Sequence, residues 1–138
     1  MPFIQPHAKT VTVQLARNLT RAIKRGHTWL YADALRHVPD VPPGTPAILL
    51  DNKGGNPIAR GYLHPGSPLA LRICTTAKNQ ALDDRWITRR LQTAVKMRAA
   101  WFDAHTTAYR LVNGEGDGLP GLVIDRYGES FVLKLYTT

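Results

Sequence analysis

Ala47-Ile48-Leu49-Leu50, then Asp51-Asn52-Lys53-Gly54-Gly55-Asn56, then Ile58-Ala59-Arg60-Gly61-Tyr62-Leu63 decide how the first half of this chain folds. The apolar run predicts a buried strand. The six turn-forming residues after it predict a hairpin turn, because Gly reaches positive φ freely and Asp and Asn bond their own backbone. The last six residues are the return strand. Working outward, Leu69-Ala70-Leu71-Arg72-Ile73-Cys74 predicts a further strand, as do Trp29-Leu30-Tyr31 and the β-branched alternation Val11-Thr12-Val13. Val38 to Pro46 carries four of the ten prolines and is expected to turn. Between the early strands, Asn18 is the expected N-cap of a short helix through Arg25, with Leu15, Leu19 and Ile23 on one face and Gly26 as its stop. Short strands separated by Gly/Pro turns predict a small β-barrel or sandwich over residues 9–76, after a lead-in over 1–8.

Residues 77–82 are small and polar, and are expected to link to a second unit over 83–138. Asp83 or Asp84 can cap a helix to about Ala104. Trp86, Ile87, Leu91, Val95, Trp101 and Phe102 keep near-helical spacing on the expected core face, opposite Arg85, Arg89, Gln92 and Lys96. Tyr109–Val112, Leu122–Asp125 and Phe131–Tyr136 predict a three-strand meander. The fold class is therefore α+β, mostly β. A helix and three strands bury little surface alone, and the apolar run ending at Tyr136 predicts a poorly protected sheet edge. The expectation is a piece of a longer protein, with self-association through that C-terminal strand edge as one alternative, or a free-standing adaptor.

The 138 residues carry 18 Lys and Arg against 10 Asp and Glu, a formal net charge of +8. The surplus is lopsided: residues 1–80 hold ten bases and three acids, and residues 81–138 hold eight bases and seven acids. A sequence pI of about 10.1 with the charge at one end points to a polyanionic partner, since Lys and Arg at phosphates release counterions. The first residues contain no apolar signal segment, no run reaches bilayer length, and a cytoplasmic address is the default expectation. One cysteine, Cys74, excludes an internal disulfide and a Cys-cluster zinc site.

Most chemical motifs fail on spacing. Asn113-Gly114-Glu115-Gly116-Asp117-Gly118 alternates oxygen ligands, but the twelfth position is Ile124, where a calcium loop needs a bidentate carboxylate. It also lacks the crossover helix of a dinucleotide site, and Pro120 follows too soon for one. The five histidines have no paired ligand spacing, no Ser/His/Asp arrangement or phosphate loop is present, and Cys74 ends an apolar strand as an inert thiol would. Arg21-Ala22-Ile23-Lys24-Arg25-Gly26-His27-Thr28-Trp29 is different: it sets cations and an imidazole beside an indole, the mix that phosphate contact and base stacking use. Lys24 and Arg25 are read as RNA contacts, and Trp29 as a core anchor.

Arg25-Gly26-His27-x-Trp29, with Ala59-Arg60-Gly61-Tyr62-x-His64-Pro65-x-Ser67-Pro68-x-Ala70-x-Arg72-Ile73, resembles the N-terminal PUA domain of bacterial ribosomal RNA large-subunit cytosine-C5 methyltransferases. Tyr109 to Tyr127, through Asn113-Gly114-Glu115-Gly116-Asp117-Gly118-Leu119-Pro120-Gly121, is similar to the start of that family's middle domain. Thr28 departs from the proline usual there. The resemblance implies RNA, large-subunit rRNA in particular, as partner, and S-adenosylmethionine as cofactor of the full-length enzyme. It also implies that the cofactor domain and its nucleophilic cysteine follow the middle domain. No cofactor is expected on this chain, Cys74 does not match the catalytic position, and no residue here is expected to be catalytic. Lys24, Arg25, His27, Arg60 and Arg72 become candidate phosphate or base contacts and Tyr62 a candidate stacking surface. Arg110, Asn113, Glu115, Asp117, Asp125 and Arg126 bracket a turn that either frames a substrate channel or satisfies itself, with Asp and Asn on the turn backbone and Arg126 paired to a carboxylate.

Overall fold

A computed structural model describes residues 9–136. Five strands form the first sheet: β1 (Val11–Gln14), β2 (Trp29–Tyr31), β3 (Thr45–Leu50), β4 (Pro57–Leu63) and β5 (Leu69–Thr75), in the order β1-β3-β4-β5-β2. The turn at 51–56 makes β3 and β4 an antiparallel hairpin, and Asp51 braces it by accepting from the Lys53 and Gly55 N–H groups. β1 runs parallel to β3, which requires the long connection that α1 (Thr20–Lys24) and β2 supply. The expected barrel is a single curled sheet. Its two edges are tied just beyond β1 and β2, where Leu15 bridges Leu35 and the Ala16 N–H donates to Ala34 O at 2.8 Å. β3 starts at Thr45, inside the stretch expected to turn. Pro46 is tolerated there because the β1 ladder begins only at Val11–Ala47.

The concave face is aliphatic, with Leu15, Ile23, Leu30, Leu49, Leu63 and Leu71 almost fully buried. Each such side chain contributes about 1.5–3 kcal/mol on leaving water. Strand alternation buries Ala59, Gly61 and Leu63 and turns Arg60 and Tyr62 to the convex face. Gly61 is required by close packing: a Cβ there would collide with the Arg72 carbonyl of β5.

The second half is α2 (Asp84–Trp101) and an antiparallel meander of β6 (Ala108–Asn113), β7 (Leu122–Tyr127) and β8 (Ser130–Leu135). The Asp83 side chain caps α2 by accepting from the Trp86 N–H at 2.8 Å. The helix ends at Trp101, short of Ala104, with Asp103 organising the turn beyond by accepting from the His105 and Thr106 N–H groups. Its buried face is Trp86, Ile87, Ala94 and Arg98, while Val95, Trp101 and Phe102, expected inside, are exposed. A buried arginine, Arg98, completes a face that is otherwise apolar. Trp86 and Ile87 pack with Cys74, Val112, Leu119, Leu122 and Ile124 in a second core, against which Tyr62 and Leu91 also rest. The convex face of the first sheet is thus one wall of the second core.

Candidate nucleic-acid interface

The short helix α1 ends in a geometry that determines what surrounds it. Gly26, at φ +102°, lets its N–H donate to Ile23 O and the His27 N–H donate to Ala22 O, closing a Schellman motif. Leu19, not Asn18, is the capping residue at the other end, although Asn18 Oδ1 accepts from the Thr20 N–H at 3.3 Å. The Schellman turn delivers the chain straight into β2, which lies along β5 with Trp29 opposite Arg72. Arg21, Lys24, Arg25 and His27 are all exposed around this turn, and no carboxylate among the described residues lies within ion-pair distance of them.

Trp29 is 40% exposed and Tyr31 56%. Trp29 is therefore not the core anchor that its apolar neighbours suggested: Leu30 takes the buried position, and the alternation of a strand sends Trp29 and Tyr31 to the other face. Two exposed aromatics on an edge strand beside four cationic or titratable side chains form a surface that hydrophobicity alone would not have exposed. Alternation put Trp29 and Tyr31 on the face opposite Leu30, and only the packing of the sheet decided which of the two faces is covered.

The remaining candidates lie elsewhere. Arg60 is half-buried at the rim of the convex face, where its Nη2 donates to Lys78 O at 3.2 Å. Arg72 donates to Glu115 Oε1 at 3.0 Å, linking β5 to the β6–β7 turn. Tyr62 faces the junction, its hydroxyl buried without a partner and its ionisation pushed well above the usual range by burial. Beside it the Cys74 thiol, buried, is pushed up to about 12, and so stays protonated and unreactive at neutral pH. Tyr62, Cys74, Trp86 and Leu135 also line a mostly apolar cavity of about 560 Å³ between the two halves.

The glycine-rich turn is organised by charge. Arg98 of α2 grips Asp117 through both terminal nitrogens at 2.6 and 2.7 Å, and its Nε donates to Arg110 O. Asp117 also accepts from the Asn113 N–H at 2.6 Å. Burial pushes the Asp117 carboxyl up, but the Arg98 bonds and the Asn113 N–H outweigh it and hold the group below its ordinary value. Arg110 bonds Asp125 through two nitrogens, which raises the arginine and lowers the carboxylate. Arg126 pairs with a carboxylate as expected, Glu129 at 3.9 Å, and makes shorter bonds to Gly128 O and Tyr109 Oη. Arg98 itself was not among the sequence candidates. An arginine on an otherwise apolar helix face, 19 residues before Asp117, was the available signal.

These engagements bear on S-adenosylmethionine. Glu115 and Asp117 are held by arginines, and β6, β7 and β8 are all antiparallel, with no crossover helix to present an N-terminus to a cofactor. The described residues do not fit that group. Among them there is also no cluster of His, Cys, Asp and Glu able to hold a metal ion, and no helix long and apolar enough to cross a membrane.

Comparison with known proteins places this geometry. A PUA-like domain model matches residues 13–76. A ribosomal RNA large subunit methyltransferase of Deinococcus radiodurans is 41% identical over 121 residues, which are 83% of this chain and 29% of that protein. A ribosomal RNA large subunit methyltransferase I of Klebsiella pneumoniae is 35% identical over 123 residues, 88% of this chain and 30% of the relative. Among solved structures, a protein of Streptococcus mutans assigned as a SAM-dependent methyltransferase superposes with a TM-score of 0.76 at 21% identity, over 93% of this chain and 33% of that one. That last likeness concerns the fold. The chain spans about a third of the length of the relatives it matches. Residues 13–76 match a PUA-like domain, and over about a third of their length ribosomal RNA large-subunit methyltransferases are similar to this chain.

Proposed function

We propose that this chain is the RNA-docking front end of a ribosomal RNA methyltransferase, with residues 9–76 as the docking unit and residues 83–138 as the platform beside it. The observation that carries the reading is the surface at the end of α1, where Lys24, Arg25 and His27 pair with no carboxylate among the described residues and stand next to exposed Trp29 and Tyr31. Cations there meet phosphates, and the aromatic faces stack on bases of unpaired nucleotides. Trp29 and Tyr31 take the stacking role for which Tyr62 was a candidate, because the Tyr62 hydroxyl lies in the junction. Methyl transfer from S-adenosylmethionine to large-subunit rRNA is proposed for the full-length family member, with no step passing through the residues described here.

Titration of a large-subunit rRNA fragment at several salt concentrations tests this. Lys24→Ala with Arg25→Ala is expected to weaken binding at least about tenfold and to flatten the salt dependence. Unchanged affinity would remove α1 from the interface.

A second reading rests on β8. It is a sheet edge, all six of its residues are exposed, and they include Phe131, Val132, Leu133 and Leu135. An open apolar edge pairs readily with another strand, including that of a second copy. Light scattering across a concentration series would show dimers with little salt effect if self-association is the function, and a monomer if it is not.

A further inference from the structure

The RNA face described above has no reason to stop at the first sheet. Ile73 N–H donates to Thr28 O, so the residue after His27 lies alongside β5, and two residues further along β5 Thr75 pairs with Arg60 of β4. Arg60 reaches Lys78, and two residues on, Gln80 Oε1 accepts from Arg89 of α2 at 3.2 Å. A chain of neighbouring contacts therefore leads from the end of α1 to the outer face of α2.

That face is unusually charged. α2 holds five bases, Arg85, Arg89, Arg90, Lys96 and Arg98, and one acid, Asp84. Arg98 is neutralised by Asp117, and Arg90 lies over the Trp86 ring. Arg85, Arg89 and Lys96 are exposed and pair with no carboxylate among the described residues. Arg85 and Arg89 are one helical turn apart, a like-charge spacing that opposes helix formation; a face that served only solubility would alternate its signs. The stripe from Arg85 to Lys96 runs about 16 Å along the helix, room for several nucleotides of one strand.

We propose that Lys78, Arg85, Arg89 and Lys96 form a second phosphate track for RNA, continuing across Arg60 from the Lys24, Arg25 and His27 surface. The inference rests on the RNA reading of that surface. A single strand or stem engaged at α1 would run over the junction and along α2, so that long RNA gains contacts that short RNA does not reach.

The experiment compares the whole chain with two variants, using one RNA of about 6 nucleotides and one of about 20 over a salt series. For the variant Arg85→Glu with Arg89→Glu, long-RNA affinity is expected to fall about tenfold or more and the salt slope to drop by about 1–2, with short-RNA affinity unchanged. Lys96→Glu, far from the capped end of the helix, is expected to show the same selectivity at smaller size, and its thermal unfolding serves as the folding control. Lys24→Ala with Arg25→Ala should weaken both RNAs. If the α2 variants bind long RNA like wild type while the α1 variant loses both, the track is overturned and the α1 reading stands. If the α1 variant binds like wild type while the α2 variants lose long RNA, the cations of α2 hold RNA by themselves, and both the reading of α1 and the track as its continuation are overturned. Absence of binding by the wild type at low salt overturns both.

Discussion

The two halves of this chain are held together by different physics. The first sheet closes on itself around aliphatic side chains and ties its own edges at Leu15 and Leu35. The second half has a smaller apolar core and leaves β8 bare. At its centre lies a bidentate ion pair with side chains only 7% and 5% exposed, Arg98 with Asp117, and it borrows Cys74 and Tyr62 from the first sheet as a wall. A closed aliphatic sheet tolerates a charged outer surface such as that around α1. Around its buried turn the second half spends charged groups on structure: Arg98, Arg110, Glu115, Asp117 and Asp125 are engaged with one another or with the first sheet, while among the described residues Lys24 and Arg25, like Arg85, Arg89 and Lys96 on the outer face of α2, pair with no carboxylate.

The contrast breaks most visibly at the buried pair. Asp117→Ala strands the Arg98 guanidinium and should cost about 3–5 kcal/mol, lost from the second half while the first sheet keeps its hydrogen-exchange protection. The pH dependence has a defined sign. Because the Asp117 carboxyl is held below its ordinary value of 3.8, the stability it brings is fully present above that value in wild type and disappears as pH falls through the lower folded value; Asp117→Ala removes that acid limb. Equal destabilisation of both halves, read by exchange, would show that they unfold as one unit.

A smaller effect is expected on the other side. Gly61→Ala drives a methyl group into the Arg72 carbonyl and should cost about 1–3 kcal/mol by forcing β4 and β5 apart, with denaturant midpoints as the readout. Because Arg72 reaches Glu115, this change should loosen the junction as well. Smallest of all is Glu115→Gln. The pair with Arg72 is partly exposed, so about 1 kcal/mol or less is at stake and salt should erase it. A larger loss from Glu115→Gln would mean that the junction, and not the second core, orients the two halves.

Much of this was legible in order along the chain. All eight strands and both helices fall where alternation, turn residues and caps put them, with ends shifted by a few residues. The fold class and the cluster of exposed cations at α1 followed from local pattern and from charge asymmetry. The misread positions share a cause. Trp29, Val95 and Trp101 are apolar and were assigned inward, yet each is exposed, because which face is covered depends on what packs against it and hydrophobicity says only that some face should be.

By itself, then, the amino-acid order determined the strands, the helices to within a few residues and the excess of positive charge in the first half, since these depend on neighbours within a few residues. Only the tertiary structure decided which charges are free. Arg72 and Lys24 look alike in sequence, but β5 brings Arg72 within 3.0 Å of Glu115, 43 residues further along the chain, while the Schellman turn leaves Lys24 in solvent. Pairing across that separation is set by how the second half seats on the first sheet, and no local pattern encodes it.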